Sequence, residues 1–247
     1  MKLFFLFCCI LLSSFCHSQK ILKAVWTDDT DIVTDVQDAK YLVVIKGYGD
    51  TAFERLDYHF AGPMITREMY ADDDMTILHG KCATYAATGY LAEDGQYVQN
   101  KKDGTWYEYD DTSRAIKELI YHLDTLVSVT DLDSLDKERK KLDLKEDTTG
   151  QVEAYYKGGT GAIAKLISKK IQLPQRTQIL TSGGTVKVRF VIDTTGAVIN
   201  REVLKSVEFS FDEECLRVIS LLNKWVPAID KGKLVKAYRI QPITVNF

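Results

Sequence analysis

The side chains with catalytic or metal-binding potential are few and scattered in this chain. His59, His79 and His122 each stand alone, without the spacing that brings three or four ligands onto one zinc ion. Asp72-Asp73-Asp74 lacks the alternating ligands and closing glutamate of a calcium loop, so it reads as a solvated turn. No nucleophile has a base beside it, and no glycine loop is spaced to cradle phosphate. The expectation is therefore a protein that is not an enzyme and takes no metal or cofactor. Recognition then has to rest on surfaces and on the backbone, which turns attention to the elements that display them.

The last hundred residues hold the clearest elements. Thr160-Gly161 opens a short helix with Ile163, Leu166 and Ile167 on one face, and Leu173-Pro174 stops it, because the residue before a proline avoids helix. Val186, Val188, Phe190 and Ile192 alternate with Thr185, Lys187, Arg189 and Val191, the period of a half-buried strand. Asp193-Thr194-Thr195-Gly196 is turn chemistry, and Ala197 to Leu204 returns as the partner strand. Ser210 and Glu213 have capping-box spacing before a helix whose stripe is Cys215, Val218, Ile219 and Leu222. Trp225 is expected to plug that helix against the sheet as core, and Pro227 to turn the chain. Lys233 to Ile240 reads as a third strand and Ile243 to Phe247 as a last short one.

The preceding region repeats. Tyr58, Gly62 and Tyr70 recur as Tyr85, Gly89 and Tyr97, then as Tyr109, Ser113 and Tyr121, three copies at a period of 24 to 27 residues. Gly, Asp and Asn cluster at Asp72 to Asp74, Glu93-Asp94-Gly95 and Asn100 to Gly104, which reads as turns between aromatic and β-branched strands. Single hairpins are marginal, so the copies are expected to stack into one sheet, with Tyr58, Tyr85 and Tyr109 in its core. Asp131 to Thr149 is charged and without aromatics, a solvated helix or a linker.

Met1-Lys2, the apolar run Leu3 to Phe15 and Cys16-His17-Ser18 read as an export signal cleaved near Gln19, since the apolar stretch is shorter than the roughly 20 residues of a membrane span. An uncleaved anchor, with Ser13 and His17 four apart, is the alternative. Of five cysteines only Cys82 and Cys215 follow the signal, and both are expected to pack as small hydrophobes. The formal charge of −3 conceals an asymmetry: 16 basic and 27 acidic residues from Lys20 to Gln151, against 15 and 8 beyond. The basic half lacks a dense Lys/Arg run with interleaved aromatics, which argues against nucleic acid. The segments expected are 1–19 signal, 20–126 hairpin repeats, 127–151 charged linker or helix, and 152–247 a compact α+β domain.

Two resemblances follow from these residues. Gln96-Tyr97-Val98, Lys102 to Tyr109 and Ile120-Tyr121 resemble the MORN family in its bacterial antitoxin-like variant. Gly158-Gly159, Pro174, Gly184, Val186 to Val191, Gly196, Ser206, Trp225-Val226-Pro227, Gly232, Tyr238, Pro242-Ile243 and Phe247 resemble the TonB C-terminal domain. The second resemblance implies a βααββαβ arrangement, with a three-stranded antiparallel sheet covered by two helices, in a periplasmic protein. It also implies a partner: a segment of an outer-membrane TonB-dependent receptor, captured by strand addition in energy-linked transport. The partner-binding residues implied are Lys233, Val235, Lys236, Tyr238, Arg239 and Ile240. The alternatives are an envelope scaffold acting through its repeats, with a homodimer formed through the C-terminal domain, and an inhibitor of another protein.

Overall fold

A computed structural model describes residues 20–30, 32–141 and 150–247. The expected export signal and the end of the charged connector lie outside the described residues. The N-terminal half is one antiparallel sheet of β1 (Lys20–Thr27), β2 (Tyr41–Gly47), β3 (Phe53–His59), β4 (Met64–Tyr70), β5 (Leu78–Tyr85), β6 (Leu91–Val98), the two-residue β7 (Lys101–Lys102), β8 (Gly104–Tyr109), β9 (Ala115–His122) and β10 (Thr125–Asp131). The strands pair in sequence order, with β7 an appendage of β6.

The three tyrosine-led copies are three hairpins with a shared register shift, and the second and third also share a left-handed turn residue. Tyr58, Tyr85 and Tyr109 each mark a register shift at the end of a strand, at Asp57/Tyr58, Thr84/Tyr85 and Glu108/Tyr109. Gly89 and Ser113 take left-handed φ angles of 83° and 63° in the turns that follow. The serine of the third copy therefore keeps the turn. Its hydroxyl donates to Leu204 O at 2.6 Å and accepts from Leu91 N at 3.0 Å, which offsets the strain of the backbone.

Side chains alternate between two faces, and each face has its own core. Leu42, Val44, Leu56, Tyr58, Tyr85 and Leu91 cluster on one face, and Leu204 from the C-terminal half completes the cluster. Cys82, Trp106 and Leu119 pack on the other, flanked by Tyr97 and Tyr121. Trp106 explains one departure from the sequence reading. Glu93-Asp94-Gly95 is no turn but the middle of β6, and Gly95 is needed because a Cβ there would run into the Trp106 ring. A strand before β2, namely β1, also lies where the sequence showed no motif.

Helix α1 (Leu132–Lys141) follows β10 directly. The C-terminal half then runs β11 (Tyr155–Tyr156), α2 (Gly159–Lys170), α3 (Gln175–Leu180), β12 (Gly183–Ile192), β13 (Val198–Lys205), α4 (Phe209–Ser220), β14 (Trp225–Val226), β15 (Ala228–Asp230), β16 (Lys233–Val235) and β17 (Ala237–Asn246). Its central sheet is antiparallel in the order β13-β12-β17. Val186, Val188, Phe190 and Ile192 turn one face of β12 into a core with Ile163 and Ile167 of α2 and Phe211, Cys215, Val218 and Ile219 of α4. Trp225 is half-buried against this core, edge-on to Tyr156 at 5.3 Å between ring centroids and tilted 5.7 Å from Phe190. The half-buried Pro227 follows it into β15. The architecture is α+β, a hairpin stack joined to a small helix-covered sheet.

Two local expectations are corrected. Glu208, not Ser210, caps α4, accepting from Phe211 N at 2.8 Å, while Glu213 pairs with Lys46 at 2.7 Å. Lys233 to Ile240 is not one strand. Lys233 to Val235 folds back on Ala228 to Asp230 as a hairpin, and the third strand runs from Ala237 through Pro242 to Asn246 without interruption. Pro242 is tolerated there because β17 is an edge strand, where a missing N–H can face away from the ladder.

Candidate functional site

The two halves share a seam built on the tyrosine row. Tyr58 donates to Asp212 at 3.2 Å, and Tyr85 donates to Val203 O at 2.8 Å. Tyr109 donates to Asp94 at 2.9 Å, and its oxygen accepts from Arg189 at 3.1 Å. The backbones meet as well: Ser206 N donates to Gly89 O at 2.9 Å, and Ser206 Oγ accepts from Met64 N at 2.8 Å. A Cβ on Gly89 would meet the Ser206 carbonyl, so this close approach requires glycine. The lysines Lys187 and Lys205 hold the Tyr90 ring between them, at 5.1 and 4.6 Å from its centroid.

Charge complementarity at the seam is local and does not follow the net charge of the halves. Arg189 bridges Asp94 at 2.8 Å and Glu202 at 2.6 Å. Lys46 reaches Glu213, and Arg67 lies 3.5 Å from Glu202, with the donors in the acidic half and the acceptors in the basic one. Burial would raise the Glu54 carboxyl, but Arg67 and Lys46 hold it below the usual carboxylate range. Glu202 is held down in the same way by Arg189 and Arg67. Asp212 differs: burial pushes it up to about 8 against the hydrogen bonds from Ser206, Val207 N and Tyr58. Among the described residues no group of three or more His, Cys, Asp or Glu converges as a metal site.

This docking engages the Val203 to Lys205 end of β13 and leaves β17, at the other edge of the C-terminal sheet, without a partner strand. Beside β13, Tyr90 bridges Lys205, while β17 ends the sheet with no further strand paired to it. The register shows which groups β17 exposes. Lys187 lies opposite Pro242, which has no N–H, so that pair is not a hydrogen-bonded one. Phe247 N donates inward to Ser182 O, so odd positions face β12 and even positions face out. The backbone groups of Tyr238, Ile240, Thr244 and Asn246 thus point away from the sheet. The outward carbonyls of Tyr238 and Pro242 accept from the Arg239 and Gln241 side chains at 3.0 and 2.9 Å. Tyr238 and Ile240 are exposed, at 70 and 55%.

The six residues singled out in the sequence therefore separate. Tyr238 and Ile240 lie on the open edge. Arg239 belongs to the inward set, and its guanidinium crosses to Ala154 O and Glu153. Lys233 and Val235 sit in the β15–β16 hairpin, and Lys236 links it to β17. Thr244 and Asn246 complete the exposed edge; strict alternation from Tyr238 through Pro242 was the signal that reveals them. A groove with about 830 Å³ of free space opens beside Tyr238, between the two halves. A second cleft of about 600 Å³, which shares Asn200 and Glu202 with that groove, is lined by the Lys46, Glu54, Arg67 and Glu202 network.

Residues 169–247 match the family described as Gram-negative bacterial TonB protein C-terminal. Over these residues, from the end of α2 through β17, the chain is similar to the C-terminal domain of TonB. A similar solved structure is the Helicobacter pylori TonB C-terminal domain in solution, 26% identical, covering 36% of this chain and 79% of that one with a TM-score of 0.30. No curated protein matches the chain. No helix among the described residues is long and apolar enough to cross a membrane.

Proposed function

We propose that this protein acts in the periplasm as a protein-binding module, capturing an extended segment of an outer-membrane TonB-dependent receptor by strand addition to β17, in transport linked to energy transduction. The observation that carries this reading is the contrast between the two sheet edges: β13 is engaged by the repeat sheet at its Val203 to Lys205 end, and β17 presents outward backbone groups at Tyr238, Ile240, Thr244 and Asn246. An unpaired edge binds through main-chain hydrogen bonds, and neighbouring pockets select the sequence. The family match over 169–247 supports a receptor segment as the incoming strand. Titration calorimetry of the full chain against synthetic peptides from the periplasmic ends of such receptors tests it. Saturable binding supports the reading, and no binding at high micromolar concentration overturns it.

A second reading, an envelope scaffold acting through the repeat sheet, is favoured by one feature. Leu126, Val127 and Val129 on the terminal strand β10 are exposed at 48, 63 and 53%. Light scattering separates the two readings, since a scaffold that self-assembles by that edge is a dimer or larger without any peptide.

A further inference from the structure

The groove beside Tyr238 is built by both halves of the chain. Val191, Arg189 and Tyr238 form its C-terminal side, and Gln96, Thr105 and Tyr107 form the facing side on β6 and β8. Cross-strand pairing fixes which side chains share that face. Val191 lies opposite Tyr238 and Arg189 opposite Ile240, so Tyr238 and Ile240 project on the same face as the arginine that binds Asp94 of the repeat sheet. A strand added to β17 places alternate side chains on this face too. The residue paired with Tyr238 then directs its side chain to the groove rather than to open solvent.

The chemistry of the walls narrows what that side chain is. Arg189 is bound by Asp94, Glu202 and the Tyr109 hydroxyl, so the one guanidinium of the groove is already committed to two carboxylates, and Lys81 is the further charged residue of its lining. An entering carboxylate would face Asp94 and Glu202, and an entering ammonium would sit beside the Arg189 guanidinium, each losing hydration, while the Lys81 of the lining is exposed to water. Tyr107 and Tyr238 offer ring surfaces instead, one from each half, and Thr105 of β8 is exposed on the groove lining. The volume of about 830 Å³ lies within the roughly 300–1,000 Å³ of sites that enclose ligand groups.

We propose that the N-terminal sheet forms the selective wall of the peptide site, accepting one large uncharged aromatic side chain of the added strand between Tyr107 and Tyr238. This rests on strand addition at β17 and extends it: selectivity comes from a sheet that lies outside the family-matched segment 169–247. The domain alone would bind backbone with little preference. Docked against the repeat sheet, it reads a side chain.

The test uses the full chain and a fixed set of decapeptides of alternating Thr and Val, with Trp, Tyr, Ala or Glu at one central position on the groove-facing side. Affinity is measured by calorimetry, and protection of β17 amides by hydrogen exchange. The expected result is binding at least tenfold tighter for Trp and Tyr than for Ala or Glu. Thr105→Arg, which fills the groove from an exposed position, and Tyr107→Ala both abolish that preference while β17 stays protected; Tyr107→Phe keeps it. Equal affinities with β17 protected overturn the groove assignment and leave strand addition standing. A Tyr107-dependent aromatic preference without β17 protection keeps the groove and overturns strand addition. Neither binding nor protection overturns both.

Discussion

Arg189 donates to Asp94 at 2.8 Å, joining β12 of the C-terminal sheet to β6 of the repeat sheet. The bond places the outer face of the C-terminal sheet under the hairpin stack. That face is the one a free-standing three-stranded domain would give to solvent. Because Arg189 also holds Glu202 and Tyr109, its loss leaves two carboxylates facing each other in a partly buried site. Asp94 is already raised by burial and by Glu202, against the pull of Arg189.

Arg189→Ala is accordingly expected to lower stability by about 2–4 kcal/mol, somewhat below a fully buried pair because the guanidinium is partly exposed. Urea unfolding checks this. A loss under about 0.5 kcal/mol would show that the pair is a surface contact and not part of the seam.

Gly95→Ala adds a Cβ that meets the Trp106 ring in the middle of β6. Overpacking of this kind costs about 1–3 kcal/mol, and the thermal midpoint reads it. An unchanged midpoint would mean that Trp106 does not lie across that glycine.

Asp212 sets a pH dependence at the seam. Its folded-state value of about 8 lies above the ordinary 3.8, because burial disfavours the carboxylate. The folded protein thus holds a proton that the unfolded chain has already released over the window from 3.8 to about 8. Stability from this group is full below that window and is lost as the pH rises through it. Between pH 5 and 9 the native chain should lose on the order of 5–10 °C more in thermal midpoint than Asp212→Asn, which has no proton to give up. Parallel pH profiles would contradict the account.

The alternation along β17 predicts opposite results for neighbouring prolines. Ile240→Pro removes an outward N–H, so it should cost little stability but abolish peptide binding. Gln241→Pro removes a bond to β12 and should cost about 3 kcal/mol or more. Melting curves and calorimetry on the two variants check the assignment. The reverse order would mean that the parity inferred from Pro242 is inverted.

Much of this fold is legible in the sequence where one local pattern decides one element. Val186 to Phe190 alternates apolar and polar residues, and that strand forms as the alternation predicts, with Val191 buried as well on its other face. The tyrosine and glycine period gives hairpins, because the register shift recurs in each copy and the left-handed turn residue recurs in the second and third, at Gly89 and Ser113. Local composition misleads where a residue serves a distant partner. Gly95 looks like a turn residue but makes room for Trp106, and Pro242 looks like a strand end but sits on an edge. Ser210 and Glu213 have capping spacing, yet Glu208 caps the helix, because Glu213 is taken by Lys46. The seam had no local signal. Tyr58 and Asp212 are 154 positions apart, and their meeting depends on the registers of two sheets and the docking of one on the other.

The most direct measurement of the central claim is hydrogen exchange of the β17 amides in the full chain, with and without a receptor-derived peptide. The account predicts fast exchange at Tyr238, Ile240, Thr244 and Asn246 in the free protein and slowed exchange at these positions on saturation. Slow exchange at all four in the peptide-free monomer, or no change on saturation with a peptide that binds, would contradict it.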